Sequence, residues 1–352
     1  MARSAQEAKR VAVVLFNLGG PDRLSAVRPF LFRLFSDPAI IQAPAGLRHA
    51  LAALISGLRA RAARANYAIM GGASPLLAQT QAQADALQCE LSRRSTADVK
   101  AFVAMRYWPP LSADAARAVE AFAPDEVMLL PLYPQFSTTT TASSLKAWAK
   151  AYRGPGRVRT ICCYPTDQGL VDAHARRIET AWVEAGRPPR TRLLFSAHGL
   201  PEKIVEGGDP YRAQIEATAG AVAARLGDGW DWRVCYQSRV GPLKWLGPST
   251  VEAIEEATRE GLGVIVAPIA FVSEHVETLV ELDHDYAALA AKAGCPHYIR
   301  VPTLGLEDAF IGGLAEMVTR NLVGAAGLGP GSGFRCDGCW SACPALALER
   351  AA

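Results

Sequence analysis

Two stretches and a tail in this sequence carry residue types and spacings that suit chemistry. The first stretch is Phe195-Ser196-Ala197-His198-Gly199-Leu200-Pro201. His198 ends an apolar run, and the glycine and proline behind it hold a defined loop. An imidazole there can take a proton near neutrality or bind a transition metal, although a lone histidine is as often structural. The second stretch runs from Pro268 to Tyr286 and holds Glu274, Glu277, Glu281 and Asp285. A helix starting at Val272, at about 100° per residue, places Glu274, Glu277, Glu281 and Asp285 within about 80° of arc. An acidic solvent face is the ordinary reading of such a line. Its place directly after the apolar run Val264 to Ile269 argues for a cleft instead. In the tail, Cys336, Cys339 and Cys343 form a C-x2-C-x3-C set, a spacing that suits an iron-sulfur cluster or zinc.

Those residues need elements to position them. The chain has 352 residues, half of them apolar, enough for about two compact units. Short β-branched or apolar runs alternate with longer helical patterns. The runs are Val11 to Phe16, Lys100 to Met105, Glu126 to Leu132, Arg157 to Cys162, Arg192 to Ser196, Asp231 to Tyr236 and Gly263 to Ile269. This alternation predicts parallel sheets covered by helices, an α/β fold. The expected division is residues 9–160, 161–326 carrying His198 and Glu277, and a cysteine-containing tail, 327–352, reached through the Gly-rich stretch Gly324 to Gly333. In open parallel sheets ligands bind beyond the carboxyl ends of the strands, so the loops after the runs are where chemistry is expected.

The charge balance is +3, from 37 Lys and Arg against 34 Asp and Glu, with no basic arm or stripe, which argues against nucleic acid. The first ten residues are polar and lack a signal-peptide plan, and no apolar run reaches the roughly 20 residues of a membrane span. A cytoplasmic location is expected, and there the eight cysteines are thiols or metal ligands rather than disulfides. One segment, Ala45 to Met70, mixes Leu47, Leu51, Leu54, Ile55 and Leu58 with Arg48, Arg59, Arg61 and Arg64. That is a basic amphipathic pattern suited either to a core-facing lid or to peripheral contact with an anionic membrane face.

The remaining loops carry weaker signals when read alone. Asn17 to Asp22 reads as a tight turn, because Pro21 breaks any dinucleotide fingerprint. The hydroxyl-rich run Ser137 to Ser144 reads as a helix cap. In Tyr236 to Thr250, an arginine, a lysine and Trp245 suit a flat acidic ligand by charge and stacking, or a packed surface loop.

Taken together, LFNLGGPD, GGASP at Gly71 to Pro75, MRYWPPL at Met105 to Leu111, LYPQFSTTTTASS, FSAHGLP, YQSRVGPLKWLGPST and PIAFVSEHVETLVELDHDY resemble the ferrochelatase family, in one order from residue 16 to about 286. The resemblance implies two Rossmann-like domains with an interdomain porphyrin cleft, and insertion of Fe2+ into protoporphyrin IX with release of two protons, in haem biosynthesis. Coproporphyrin III is the alternative substrate. Porphyrin and ferrous iron are the implied partners, and a homodimer is compatible with them. The resemblance assigns His198 and Glu277 to catalysis at the metal site, continues the iron path through Glu281 and Glu274, and places Arg106, Tyr107, Ser74, Trp245 and Phe271 in the porphyrin pocket. It favours a 2Fe-2S cluster over zinc on Cys336, Cys339 and Cys343. In animal relatives a fourth ligand comes from the hydroxyl-rich loop, where this chain has Thr138. Cys162 or Cys163 is the candidate in its place, with one of the two expected. Cys89, Cys235 and Cys295 read as core thiols.

Overall fold

A computed structural model describes residues 8–324, 327–335 and 340–344. The chain opens with β1 (Arg10–Asn17), α1 (Val27–Phe35), α2 (Ala45–Ile69), α3 (Leu76–Arg94), β2 (Asp98–Met105), α4 (Ser112–Phe122), β3 (Glu126–Pro131), α5 (Thr141–Ala151) and β4 (Arg157–Ile161). Then follow α6 (Gln168–Glu184), β5 (Thr191–His198), α7 (Glu202–Glu206), α8 (Tyr211–Leu226), β6 (Asp231–Gln237), α9 (Thr250–Arg259) and β7 (Gly263–Pro268). The chain continues through α10 (Val276–Leu279), a π-helical turn over Glu281–Tyr286, α11 (Ala287–Ala293), β8 (Tyr298–Arg300), α12 (Asp308–Leu322) and β9 (Leu328–Gly329). All seven apolar runs named above fall on β1 to β7. Strand β8, three half-buried residues, is too short to carry a pattern, and β9 lies inside the Gly-rich stretch expected to be a linker.

The strands form two parallel sheets, ordered β2-β1-β3-β4-β9 and β6-β5-β7-β8. Two α/β domains result, as the alternating pattern predicts. The central strands β1, β3, β5 and β7 are buried almost throughout, because helices cover both faces of each sheet. One face of the first sheet packs Val13, Leu15, Met128 and Leu130 against α3 and α12, and the other packs Val14, Phe16 and Leu129 against α4 and α5. In the second sheet Leu193, Phe195 and Ile265 face α6 and α8, while Leu194, Val264 and Val266 face α9 and α11.

The strand order decides where loops converge. In each sheet the order reverses direction beside a central strand, between β1 and β3 in the first and between β5 and β7 in the second. Helices after neighbouring strands therefore go to opposite faces and leave a crevice at the carboxyl ends. His198 is the last residue of β5, and the 269–275 loop leaves the adjacent β7, so the second crevice brings these two stretches together.

Helix α12 follows the second sheet in sequence but returns to the core of the first. It crosses α6 at Gly169 and Gly313, where a Cβ on Gly169 would meet the Ala309 carbonyl and the Gly313 backbone. Only a residue without a side chain permits that approach.

Helix α6 also buries His174, whose Nε2 has no hydrogen-bond partner among the described residues. Burial without a counter-charge lowers its pKa from 6.5 to about 3. In the unfolded chain the imidazole protonates near its ordinary value, so between these two limits the unfolded state binds the extra proton. The resulting stability is fully present above about pH 6.5 and is lost as pH falls towards 3, at about 1.4 kcal/mol per pH unit. Urea unfolding of His174→Leu should therefore show a flatter dependence of the midpoint on pH between 6 and 4 than the parent protein. Parallel curves would assign acid lability to another group.

Candidate functional site

His198 sits where β5 ends, and its surroundings explain the residues behind it. Gly199 donates its N–H to the Gln237 carbonyl, and a Cβ at Gly199 would lie 3.0 Å from that oxygen and 3.2 Å from the Trp245 ring. The Trp245 indole lies parallel to the His198 ring, with centroids 6.5 Å apart and planes at 2°. Nδ1 of His198 is buried without a partner, and Nε2 lies 3.7 Å from Glu277 Oε1.

Glu277 occupies the first turn of α10, and its other oxygen, Oε2, lies 3.6 Å from Nε2 of His275. One carboxylate is thus bracketed by two imidazoles, each beyond hydrogen-bond length. Burial by itself would raise the Glu277 pKa. The adjacent His198 charge, His275 and the Ser238 hydroxyl outweigh burial and hold it at about 2. The carboxylate stays ionised in a site where a lone acid would be neutral. The Tyr67 hydroxyl, brought from α2, is pushed up by its own burial and then by the charge of Glu277.

His275 is held by its backbone. Its N–H donates to Thr278 Oγ1 at 3.0 Å, the same hydroxyl donates back to the His275 carbonyl, and the Phe271 ring lies 4.5 Å from its imidazole, centroid to centroid. Glu281 accepts from the Ser238 N–H at 2.9 Å, from the Ser238 hydroxyl, from the Tyr286 hydroxyl at 2.6 Å and from Gln237 Nε2 at 3.2 Å. Gln237 Nε2 also donates to the Glu277 carbonyl at 2.8 Å, which ties the two acids to the end of β6. Ser238 adopts a left-handed backbone, φ 64°, to make these contacts.

The continuous helix from Val272 that the spacing predicts does not form. His275 is extended, φ −161° and ψ −170°, so helical periodicity starts at Val276. At 281–286 the Asp285 N–H bonds the Val280 carbonyl, five residues back, and this π-helical turn shifts the register again. Glu277 and Glu281 stay together. Glu274 is instead paired with Arg300 Nη1 at 2.6 Å and accepts from the Thr303 N–H at 2.9 Å, and Asp285 is exposed beside His284.

Arg106 and Tyr107 lie on the first-domain side, gathered by Asp37. Asp37 Oδ2 accepts from Arg106 Nη2 at 2.6 Å, from the Tyr107 hydroxyl at 2.8 Å and from the Ser143 hydroxyl. Burial opposes the charge on Asp37, but Ser143, the Ala39 N–H and Arg106 hold its pKa below the ordinary value. Tyr107 is only 1% exposed, so it acts from inside the wall. It shares an apolar cluster with Tyr67 and Val276, through which α1 and α2 reach the loop that carries Glu277. Ser74 begins the turn into α3 and packs against Gly20, where a Cβ would clash with its hydroxyl.

Cys336 and Cys339 lie outside the described residues. Cys343 is buried, and the chain beside it bonds the second domain, with the Ala342 N–H on the Gly208 carbonyl. Cys162 and Cys163 are buried with Phe136, their sulfurs 3.8 Å apart. Strand β9 and the residues after it run alongside them: Cys162 N–H bonds Gly329 O and Gly331 N–H bonds Cys163 O. Thr138 is occupied elsewhere, since its N–H and hydroxyl both donate to Asp209 Oδ2 at 2.7 Å. Among the described residues no group of three or more His, Cys, Asp or Glu is arranged to hold a metal ion.

The family model described as Ferrochelatase matches residues 10–322, a span that includes both sheets' main strands and both walls of the site. This chain belongs to the ferrochelatase family. It is therefore a porphyrin metal chelatase, an enzyme of haem biosynthesis. Relatives named ferrochelatase agree: one from Phenylobacterium zucineum is 62% identical over 91% of this chain and 94% of its own length, and one from Caulobacter vibrioides is 60% identical over 96% and 97%. A third, from Hyphomonas neptunium, is 52% identical over 98% of this chain and 97% of its own. Among solved structures, SirB from Bacillus subtilis with Fe3+ is 12% identical, with TM-score 0.54 over 90% of this chain and 96% of that one. DR2241 from Deinococcus radiodurans, described as a multi-domain protein with structural similarity to chelatases, is 16% identical, with TM-score 0.52 over 88% of this chain and 54% of that one. At these identities the structures speak to the fold alone.

Within this ferrochelatase-family site, sequence reasoning missed His275, Asp37, Tyr67 and the Gln237–Ser238–Tyr286 cage around Glu281. His275 was legible in principle, because it lies two residues before Glu277 in a stretch that follows a buried strand. The others are distant in sequence and carry no local signal.

Proposed function

We propose that the enzyme inserts Fe2+ into protoporphyrin IX and that the His198–Glu277–His275 group is where iron and the pyrrole protons are handled. The observation that carries this reading is the bracketed carboxylate. Insertion releases two protons, so it needs bases beside the macrocycle, and two imidazoles flank one fixed negative charge here. His198 and His275 lie 3.7 and 3.6 Å from opposite oxygens of Glu277, so each imidazole with its nearer carboxylate oxygen offers passing iron a pair of donors rather than one preformed site. These borderline and hard donors hold ferrous iron more loosely than thiolates and allow its surrender to four pyrrole nitrogens. His198 takes the role of base, and Glu277 keeps the neighbouring imidazole charge favourable once a proton has moved. Glu281, caged one turn on, supplies the next carboxylate along an iron path. Glu274 is a weaker member of that path, because Arg300 neutralises it. Trp245 beside His198 and Phe271 beside His275 supply the aromatic surface for the macrocycle, and Ser74, Arg106 and Tyr107 are assigned to the porphyrin pocket from the first domain.

Anaerobic turnover with Fe2+ and protoporphyrin IX tests the reading. His198→Ala should lower kcat by about 10²-fold or more, the usual contribution of a positioned base. Glu277→Gln should lower it comparably, with porphyrin binding retained in both. Full activity of His198→Ala at saturating iron would end its assignment as base, and faster turnover of coproporphyrin III would reassign the substrate.

The reading extends to a 2Fe-2S cluster on Cys336, Cys339 and Cys343 with one of Cys162 and Cys163. Support comes from the thiol spacing and from β9, which turns the tail alongside the buried Cys162–Cys163 pair. When bound, a cluster would cross-link the tail to the fold. Its role is structural or regulatory, because metal insertion is redox-neutral. Visible absorbance and iron and sulfide analysis of purified protein should show about two irons per chain, lost in one of Cys162→Ser and Cys163→Ser. One zinc and no sulfide would replace the cluster with zinc.

Helix α2 suits a peripheral membrane contact. It turns Ala52, Ser56, Ala60 and Tyr67 inward and leaves Leu47, Leu54 and Leu58 more than half exposed among the exposed Arg59, Arg61 and Arg64. No helix among the described residues is long and apolar enough to cross a membrane. Sedimentation with anionic vesicles should fall several-fold in Leu54→Ser/Leu58→Ser. An unchanged pellet, or a homodimer dissociated by those changes, would assign the face to something other than lipid.

A further inference from the structure

Helix α3 belongs to the first domain, yet one of its side chains is committed to the second. Gln83 is fully buried among Ala84, Leu87 and Leu91. An amide in such a place is costly unless every polar atom is bonded. Its Nε2 donates to the Val272 carbonyl at 2.9 Å and to the Gly305 carbonyl at 3.0 Å, and its Oε1 accepts from the Ser273 hydroxyl at 3.0 Å. All three bonds go to loops at the carboxyl ends of β7 and β8, and the Gly305 N–H closes the knot on the Val272 carbonyl. One turn earlier on the same helix, Gln79 Oε1 accepts from the Glu274 N–H at 2.7 Å. Backbone 272–274 is therefore fixed from the other domain immediately before the extended His275 and the first turn that carries Glu277.

We propose that Gln83, assisted by Gln79, is a positioning residue for metal insertion: by clamping residues 272–274 from the first domain it sets the aim of His275 and Glu277 at His198. All three members of the bracket lie in the second domain, so the clamp from α3 makes their mutual placement depend on how the two domains meet. Displacements of about 1 Å in a reacting group cost around 10²-fold in rate. This inference rests on the reading of His198, Glu277 and His275 as the iron-handling group. A purely packing role for Gln83 would lower stability without singling out iron.

The test uses the full-length protein with Gln83→Met, which keeps volume but bonds nothing, Gln83→Glu, which keeps an acceptor for Ser273 but loses the donors, and Gln79→Ala. The control is Gln88→Met on the same helix, whose side chain accepts from the Ala101 N–H within the first domain. Protoporphyrin affinity by fluorescence, Tm, and kcat and KM for Fe2+ are measured on each. Both Gln83 variants should lose about 10- to 100-fold in kcat/KM for Fe2+ with protoporphyrin affinity within about 2-fold of the parent, and Gln79→Ala should lose severalfold. Gln88→Met should match the parent. If Gln83→Met does not fold, Gln79→Ala carries the test. Parent turnover together with unchanged iron kinetics in the Gln83 and Gln79 variants, or an equal loss in Gln88→Met, overturns the clamp. Absence of turnover in the parent overturns the underlying reading, and the clamp's role with it.

Discussion

A carboxylate that must stay charged inside a protein constrains everything around it. Glu277 is largely withdrawn from solvent, and an isolated acid there would be pushed towards its protonated form. The imidazoles on its two oxygens prevent that, but only while strand β5, the loop after β7 and helix α10 hold their relative positions. His198 comes from the end of one strand and His275 and Glu277 from the loop after its neighbour. The parallel register that sets Ser196 beside Pro268 is the base on which the bracket stands.

The same constraint explains the departures from regular helix. An uninterrupted helix from Val272 would carry Glu274, Glu277 and Glu281 along one face as a row of like charges, each disfavouring ionisation of the next. The structure separates them. Extended backbone at His275 diverts Glu274 to Arg300, and the π-helical turn lets Glu281 meet Ser238, Tyr286 and Gln237. Each acid thus has its own set of partners, and only Glu277 faces the two imidazoles.

The two domains are tied at several levels. Apolar contact runs from Tyr107 through α2 to Val276, polar contact runs through Gln83, and Thr138 of the first domain is bound to Asp209 of the second. Helix α12 and strand β9 return to the first sheet after the second is complete. In the hydroxyl-rich loop, read from sequence as a helix cap, the N-cap residue Thr140 makes no side-chain cap bond, and Ser137 and Thr138 instead donate to Asp209 across the domain boundary.

The sequence by itself determined the α/β class, seven of the nine strands among the described residues, the placement of His198 at a strand end and of Glu277 after the next buried strand, and membership of the family through its ordered motifs. These are local properties: β-branched runs, helical spacing and short motifs are written within a few residues of where they act. Tertiary structure alone decided that Glu277 lies between two histidines, that Glu274 leaves the acidic line, that Arg106 and Tyr107 answer to Asp37, and that an amide on α3 holds the loop before His275. Each of these pairs residues from separate elements, in the case of Gln83 and Val272 from different domains. Helical periodicity could not foresee the break at His275, because that break is paid for by bonds to Gln79, Thr278 and Arg300, which no window around residue 275 contains in full.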